Sequence, residues 1–346
     1  MSHLPQAPSP MAFHDPSLRE SFETALLSAV TPGVPWLHSA LARQLTRPGK
    51  RLRPALVFAA AACGPQRNTA DALRCATAVE LLHQSSLIHD DLVDDAAERG
   101  GAVTVHVTDG QAGAVLAGDY LLAAGGGLIS QVGGRAAGVW HEAYAEMCAA
   151  QARETANRHS ISSIDDYLRT VRGKTAALMR AACVLGGLCA GLDDRQLAAL
   201  AAYGESFGVL FQIVDDLMDV LSTASLWGKA VQHDVTQGVF TLPVLLAAQA
   251  PGSRLPQILV DDPLTAPVDA VYEVVREFGV PSAVQMTYEW ADQARAAIRI
   301  LPASAARDDL ADMPRRYATA VFTDRVAGPH RQMVHQQVKG VLCPEG

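Results

Sequence analysis

The stretch HQSSLIHDDLVDD, residues 83–95, organises the rest of the chain. In a helix each residue advances by about 100°, so Asp90 and Asp94 lie one turn apart on the same face. Two carboxylates placed in this way repel each other unless a cation lies between them or water surrounds them. The apolar residues before the aspartates favour a buried helix, which weakens the interpretation of a solvated acidic face.

A second acidic run, DDLMD at residues 215–219, repeats this spacing after a similar apolar stretch. A lone acidic triplet is commonly a solvated face, but two copies, each ending an apolar helical run, are harder to explain in that way. Facing one another across a cavity, the two runs would supply oxygen ligands for several Mg²⁺ ions, which bind a few carboxylates together with waters and substrate phosphates. We therefore expect a metal-assisted site for a diphosphate. The candidate metal ligands are Asp90, Asp91, Asp94, Asp215, Asp216 and Asp219.

Composition narrows the class of protein further. The chain has 346 residues, 49% of them hydrophobic and 5% aromatic, which favours one large helical domain. A net charge of −8 argues against a nucleic-acid surface. The six cysteines contain no C-x-x-C pair, no signal segment is visible, and no apolar stretch of transmembrane length is uninterrupted. We expect a cytoplasmic protein without a membrane span.

The predicted organisation is all-α. Residues 1–15 are expected to be disordered, residues 16–326 to form a single all-helical domain, and residues 327–346 to form a loose C-terminal tail. No strand-like alternation is sustained anywhere. The clearest helices are predicted at residues 70–95, 113–129, 136–159, 193–222, 288–301 and 308–326.

Two basic features have more than one interpretation. The turn RPGKRLRP at residues 47–54 is either favourable charge at a helix end or an anion clamp in which Lys50 and Arg53 converge. Lys174, in an otherwise apolar region, is either a surface lysine with a buried stem or a functional cation.

Taken in order, these motifs resemble those of the trans-isoprenyl diphosphate synthases, the polyprenyl synthetase family. The resemblance covers about residues 20–325. It is carried by a set of motifs in the family's order: GKRLRP at 49–54, HDDLVD at 89–94, Gly118-Asp119, Gln151 with Glu154, Lys174-Thr175, FQ at 211–212 with the second acidic run, Gly228-Lys229, Asp234 and TLP at 241–243.

The resemblance implies a fold, a reaction and roles for particular residues. The fold would be an isoprenoid-synthase-type helical bundle around a deep central cavity, usually a homodimer. The reaction would be condensation of isopentenyl diphosphate with an allylic diphosphate. Three Mg²⁺ would be held by Asp90, Asp94 and Asp215, with Asp91 and Asp219 in support. Cations for the leaving diphosphate would be Arg99, Lys174 and Lys229. Isopentenyl diphosphate would bind to Lys50, Arg53 and His83. Thr175 and Gln212 would line the cavity near the carbocation.

Two positions depart from the family pattern. Gly100 replaces the second arginine of the family's R-R-G loop, and Val239 replaces a lysine before T-L-P. Each lost cation removes about 1.5–3 kcal/mol of charge-assisted binding. Reduced elongation, another second substrate and a changed reaction therefore all stay open.

Small residues before the first acidic run and in the run at 123–127 give a prediction of product length. Ser85 and Ser86, five and four residues before Asp90, are expected to point down the product tunnel, where bulky aromatics would stop a growing chain. Residues 123–127, AAGGG, are also small. We predict geranylgeranyl diphosphate (C20) or a longer product.

Two other functions remain as alternatives. A class I terpene cyclase on the same fold would keep both acidic runs and could dispense with the missing arginine, although it has no use for Lys50, Arg53 and His83. A non-catalytic subunit of a heteromeric synthase would have no need of clustered carboxylates.

Overall fold

The computed structural model describes residues 16–66, 68–157, 162–227, 231–232, 234–259 and 267–342. It is 81% helical, and within the described residues the only strands are β1 (Glu98–Arg99) and β2 (Ala102–Val103). The all-α prediction is confirmed.

The helices are α1 (Pro16–Ser28), α2 (Pro35–Leu45), α3 (Leu52–Ala61), α4 (Thr69–Val93), α5 (Val105–Val132), α6 (Gly134–Ala156), α7 (Ile164–Val171), α8 (Ala177–Cys189), α9 (Asp194–Leu221), α10 (Ala224–Trp227), α11 (Leu242–Gln249), α12 (Leu255–Leu259), α13 (Val268–Val274), α14 (Val280–Ala297), α15 (Ala305–Asp324) and α16 (Gly328–Leu342).

Two short π-helical segments interrupt this pattern, at Arg172–Ala176 between α7 and α8 and at Val275–Gly279 between α13 and α14. Two 3₁₀ turns lie at Val235–Gln237 and Ile298–Ile300. A π segment shifts the register of the side chains that follow it, and such segments are frequent at functional sites. The first π segment carries two of the predicted site residues.

The chain divides into two compact units, which are described separately. Unit 1 comprises residues 1–144, 178–201 and 298–310, and unit 2 comprises residues 145–177, 202–297 and 311–346. The prediction of a single domain stays a prediction.

In unit 1, α4 packs along α5 and also contacts α1 and α3. Asn68 caps α4, because its side-chain oxygen accepts a hydrogen bond from the Asp71 backbone N–H at 3.1 Å. Every residue of α4 from Cys75 to Leu82 is buried, so all faces of the helix are covered over these two turns.

In unit 2, α14 packs against α11 and α16. The prediction of a loose tail is wrong for residues 328–342, which form α16. Val334 is 0% exposed and Val338 is 9% exposed. These two valines are four residues apart and so form one apolar stripe, which holds the helix against its neighbours.

Two helices, α5 and α9, have the length and apolar composition needed to cross a membrane. In α9, 67% of the most apolar window is buried inside the protein, compared with 39% in α5. Core helices of globular proteins meet the same criteria, so the prediction that no segment spans a membrane stays a prediction.

Candidate active site

The first acidic run lies at the C-terminal end of α4. Asp94 caps the helix, and its backbone N–H donates to the Asp90 carbonyl at 2.9 Å. The C-terminal end of a helix carries partial negative charge, and the last turn of α4 contains no basic residue. Asp90 is half-buried and Asp94 is exposed, so both carboxylates can be reached from solvent in unit 1. A cation bound here would be stabilised by the carboxylates and by the helix end together.

Asp91 lies in a different environment from its two neighbours. It is 2% exposed, and Arg99 Nε donates to its Oδ1 at 2.5 Å. Burial raises the pKa of the Asp91 carboxyl above its usual range, while the Arg99 charge and hydrogen bond act in the opposite direction. Arg99, expected to neutralise a leaving diphosphate, is placed in this structure against Asp91.

The basic turn brings Arg53 and His83 together. Arg53 Nη1 lies 3.2 Å from His83 Nε2, and because a guanidinium nitrogen can only donate, the imidazole Nε2 accepts and its proton lies on Nδ1. Burial lowers the pKa of His83 well below its ordinary value, and the charges of Arg53, Arg99 and Arg51 lower it further. Lys50, three residues before Arg53 in the chain, is exposed. Arg53 and a neutral His83 are therefore in contact within unit 1, and the anion clamp of Lys50, Arg53 and His83 stays a prediction.

Arg51 anchors the basic turn through the buried contacts of its guanidinium. Its backbone adopts a left-handed conformation with φ of 47°. Its guanidinium donates to Glu80 at 2.7 Å, to the Leu45 carbonyl at 2.6 Å and to Glu23 at 3.2 Å. The Arg51 and Glu80 side chains are 4% and 3% exposed, which makes this a buried ion pair. The contacts anchor the backbone between Lys50 and Arg53.

The second acidic run lies in the last two turns of α9, whose final turn also lacks a basic residue. Asp216 is 3% exposed and accepts hydrogen bonds from Tyr167 Oη at 2.6 Å and from Gln212 Nε2 at 2.9 Å. Asp219 is 8% exposed and accepts from Tyr272 Oη at 2.7 Å. Asp215 is only half-buried. The six aspartates thus fall into two groups, the accessible Asp90, Asp94 and Asp215 and the buried Asp91, Asp216 and Asp219.

Tyr167 and Tyr272 were not identified from the sequence. Burial and the adjacent carboxylates raise the pKa of both phenols, so both remain protonated donors. Neither tyrosine belongs to an acidic or basic motif, and their positions in α7 and α13 are far from α9 in the chain. No signal in the sequence links them to Asp216 and Asp219.

The π-helical segment holds Lys174 and Thr175. Lys174 Nζ donates to Glu154 Oε1 at 2.5 Å, and Thr175 Oγ1 donates to Gln212 Oε1 at 2.8 Å. Two glycines let neighbouring helices approach this segment: a Cβ added at Gly173 would lie 2.7 Å from Ala150 Cβ, and one added at Gly208 would lie 2.4 Å from Ala176 Cα. Within unit 2 the predicted residues Thr175, Gln212 and Asp216 therefore form one connected hydrogen-bond chain.

The two serines predicted to set product length differ in exposure. Ser85 is 1% exposed, whereas Ser86 is half-buried and its Oγ donates to the His83 carbonyl at 2.9 Å. In the small-residue run of α5 at residues 123–127, Gly125 is closely packed, because an added Cβ would lie 3.1 Å from Trp140. Ser86 thus has more room than Ser85 for a larger side chain.

Among the described residues, no group of three His, Cys, Asp or Glu side chains is close enough to hold a metal ion alone. This arrangement fits Mg²⁺, which completes its coordination with water and substrate phosphate oxygens. Accessible carboxylates at two helix C-terminal ends without basic residues are suitable donors. Lys229 lies outside the described residues.

The all-helical fold and its aspartate-bearing helix ends define a class of diphosphate-binding enzymes, and comparison with known proteins specifies the family. Residues 34–275 match the polyprenyl synthetase family. The chain is 35% identical over 290 residues to a nonaprenyl diphosphate synthase of Mycobacterium tuberculosis, covering 82% of this chain and 83% of the relative. It is 34% identical over 288 residues to a geranylgeranyl diphosphate synthase of the same organism, covering 81% of this chain and 77% of the relative.

A solved structure agrees with these relatives. The crystal structure of a polyprenyl synthase from Caulobacter crescentus, complexed with calcium and isoprenyl diphosphate, superposes with a TM-score of 0.83 at 26% identity, covering 94% of this chain and all of that chain. The chain belongs to the polyprenyl synthetase family, whose members are trans-prenyl diphosphate synthases. The isoprenoid-synthase-type fold and the assignment as a trans-prenyltransferase are confirmed.

Proposed function

We propose that this enzyme is a Mg²⁺-dependent synthase that condenses isopentenyl diphosphate with an allylic diphosphate and makes geranylgeranyl diphosphate or a longer trans-polyprenyl diphosphate. One observation carries the proposal: both acidic runs end long helices whose last turns contain no basic residue. A multivalent cation together with a substrate diphosphate satisfies this arrangement.

The accessible aspartates are the proposed metal ligands. Asp90 and Asp94 in unit 1 and Asp215 in unit 2 would bind three Mg²⁺ when a diphosphate is present, and bound Mg²⁺ supplies positive charge to the leaving group. Asp91, Asp216 and Asp219 support them through the hydrogen bonds described above.

The remaining polar residues act on the substrates. Lys174, Arg99 and Lys229 would neutralise the allylic diphosphate as its C–O bond breaks. Thr175 and Gln212 would stabilise the allylic cation, which requires the exclusion of water. Isopentenyl diphosphate, held by Lys50, Arg53 and His83, would donate its alkene electrons to form the new C–C bond. The proton lost from its C2 would pass to the released diphosphate.

The proposed product length rests on the small side chains of Ser85 and Ser86 and on the AAGGG run in α5. Relatives range from a farnesyl diphosphate synthase of Mycobacterium bovis, 39% identical over 223 residues and covering 62% of each chain, to the nonaprenyl diphosphate synthase. Because the relatives differ in product length, the small side chains alone support the proposal of C20 or a longer product, with C20 the first choice.

A homodimer in the cytoplasm is the proposed working form. Several large apolar side chains are exposed on α5 and on neighbouring α2, among them Trp36 at 42% and Leu116 at 52%. They border a shallow depression of about 300 Å³ that Gly113 and Asp109 also line. A second copy of the chain would remove this apolar surface from water.

The test is incubation of the purified protein with Mg²⁺, labelled isopentenyl diphosphate and each of the C5, C10 and C15 allylic diphosphates, with every product identified by mass. Diphosphates lengthened by C5 units to C20 or beyond are expected. Hydrocarbons or alcohols formed from the allylic substrate alone would contradict elongation and favour the cyclase. Absence of turnover with every primer would point to a missing partner subunit.

Matched variants test the metal ligands. Asp90→Asn and Asp215→Asn should each lower kcat by about 100-fold, because each removes charge that stabilises the leaving diphosphate. Asp312→Asn, which alters an exposed carboxylate paired with Arg295, should leave kcat unchanged. Equal activity in all three variants would exclude the proposed ligand set.

A further inference from the structure

Arg47 carries a buried hydrogen-bond donor that has no acceptor. It follows α2, in the turn before α3, and its Nη2 donates to the Val103 carbonyl of β2 at 2.6 Å. Its Nη1 is buried, and no acceptor for it exists in the part of the chain that the structure describes. A buried guanidinium N–H without a partner is costly, so this nitrogen is suited to a ligand that brings an acceptor.

The charges around Arg47 favour an anion as that ligand. Burial lowers the pKa of Arg47, Asp91 raises it, and Arg99 and Arg43 lower it. Asp91, the one carboxylate in this group, is already bonded to Arg99. The net charge of this group is therefore positive.

A second unsatisfied donor lies on the other side of the same turn. Arg53 Nε is buried without an acceptor in the described structure, while Arg53 Nη1 contacts His83. Arg99 is close enough to affect the charge state of both His83 and Arg47. Arg47 and Arg53 thus flank the GK turn at residues 49–50, each with one guanidinium nitrogen left to bind an oxyanion.

The turn of the hairpin that Arg47 contacts has no charged side chain of its own. Gly100 and Gly101 form its turn with φ values of 59° and 76°, a left-handed pair typical of a two-residue turn that favours glycine. A Cβ at Gly100 would meet no atom within 4 Å. The turn therefore carries no side chain that could bind a ligand, whereas Arg47 contacts the strand that follows it at the Val103 carbonyl.

We propose that Arg47 binds the diphosphate of isopentenyl diphosphate, supplying from the turn before α3 the cation that the hairpin lacks at Gly100. This inference rests on the proposed function. It makes Arg47 a specificity-determining residue for the second substrate, acting beside Lys50, Arg53 and His83. The competing explanation is that Arg47 only fastens the hairpin through the Val103 carbonyl.

Direct binding separates these explanations, because isopentenyl diphosphate does not react without an allylic partner. Calorimetric affinities for isopentenyl diphosphate alone, and KM for each substrate, are measured for the wild type, Arg47→Gln, Arg47→Lys and Arg74→Gln. Arg74 is the matched control, since it is an arginine of α4 whose side chain is 40% exposed and pairs with Asp71.

Arg47→Gln should weaken isopentenyl diphosphate binding about 10- to 100-fold, the range expected for one charge-assisted contact, with KM for the allylic substrate changed less than twofold. Arg47→Lys keeps the charge without the paired donors and should show a smaller loss in the same direction. Arg74→Gln should match the wild type.

Unchanged affinity in a folded Arg47→Gln protein would overturn the inference, and so would an equal loss for both substrates accompanied by a lower Tm. If Arg47→Gln does not fold, Arg47→Lys decides in its place by the same criteria. A wild type that binds no isopentenyl diphosphate and elongates no primer would instead overturn the proposed function.

Discussion

Tyr167 shows how a single side chain distinguishes the aspartates of one acidic run. Its hydroxyl donates to Asp216, which is also held by Gln212, whereas the neighbouring Asp215 is more accessible. Spacing alone makes all three aspartates of this run candidate metal ligands, although the resemblance implies a supporting role for Asp219. The structure instead divides the run into accessible and buried carboxylates.

Tyr167→Phe should lower the free energy of unfolding by about 1.5–3 kcal/mol, because a buried carboxylate loses a charge-assisted hydrogen bond. It should also raise the Mg²⁺ concentration needed for half-maximal rate, since Asp216 is then less firmly held. Urea unfolding and Mg²⁺ titration of kcat measure both effects.

Tyr288→Phe is the control for this prediction. It removes a hydroxyl contact with Thr319 Oγ1 at 3.1 Å, away from the aspartates. It should cost stability while the Mg²⁺ titration stays unchanged. Identical Mg²⁺ curves for wild type and Tyr167→Phe would show that Tyr167 does not position the acidic run.

His83 makes stability depend on pH. Its folded pKa lies well below the ordinary value of 6.5, so below about pH 6.5 the unfolded chain takes up a proton that the folded protein does not bind. The contribution of neutral His83 to the free energy of unfolding is fully present above pH 6.5. It is lost as the pH falls, by up to about 1.4 kcal/mol per pH unit.

The free energy of unfolding between pH 7.5 and pH 5.5 should therefore fall less steeply for His83→Asn than for the wild type. His141→Asn, at an exposed histidine, should follow the wild-type slope. Parallel slopes for the wild type and His83→Asn would refute the assignment of a depressed pKa.

The serines before Asp90 give a separate prediction about product length. Ser86→Phe should shorten the main product by at least one C5 unit, because the half-buried position can accept an aromatic ring. Ser85→Phe should instead cost about 1–3 kcal/mol of stability through overpacking, since Ser85 is 1% exposed. Mass analysis of products and urea unfolding distinguish the two outcomes, and unchanged products with Ser86→Phe would remove Ser86 from chain-length control.

At the scale of elements, the sequence was most informative where an apolar pattern continued over several turns. Helices predicted at residues 70–95 and 193–222 are observed at Thr69–Val93 and Asp194–Leu221. The two-residue strands β1 and β2 are too short for alternation to show. The π segment at Arg172–Ala176 accompanies close contacts at Gly173 and Gly208 with residues distant in the chain, and local patterns do not contain such contacts.

In the candidate site, too, the sequence predicts only features that are local in the chain. The carboxylates and cations were predicted because their spacing on one helix or turn is local. Tyr167 and Tyr272 donate to Asp216 and Asp219, and Arg47 donates to the Val103 carbonyl of the hairpin. These donors come from elsewhere in the chain, so only the folded structure relates them to the aspartates and to the hairpin.

The contact between α3 and α8 depends on a glycine. A Cβ added at Gly186 would lie 2.2 Å from the Val57 carbonyl oxygen and 2.8 Å from Ala60 Cβ. Gly186→Ala should therefore force the two helices apart and lower the free energy of unfolding by about 1–3 kcal/mol.

Gly138→Ala in α6 is the matched control, because its Cβ would meet no atom within 4 Å. Its expected effect is a gain of about 0.5–1 kcal/mol from the better helix propensity of alanine. Urea unfolding measures both variants, and effects of the same sign would contradict the close approach of α3 and α8.

At the scale of the whole molecule, the apolar face of α5 predicts self-association. Leu116→Lys should convert a dimer into a monomer, because it places a charge in the middle of the exposed apolar surface. Leu27→Lys, at a leucine of α1 that is 42% exposed, should leave the mass in solution unchanged. Sedimentation measures both, and a wild-type monomer would refute the proposed dimer.

The acidic ends of α4 and α9 also make the stability of the folded protein depend on the concentrations of its ligands. Each end gathers several carboxylates, and bound Mg²⁺ would reduce the repulsion among them, so ligand binding should add to the stability of the folded enzyme. Ligands that bind only the folded chain stabilise it in proportion to the logarithm of their concentration. The protein should therefore resist heat and proteolysis best when Mg²⁺ and a diphosphate are abundant, so that its own substrates govern its lifetime.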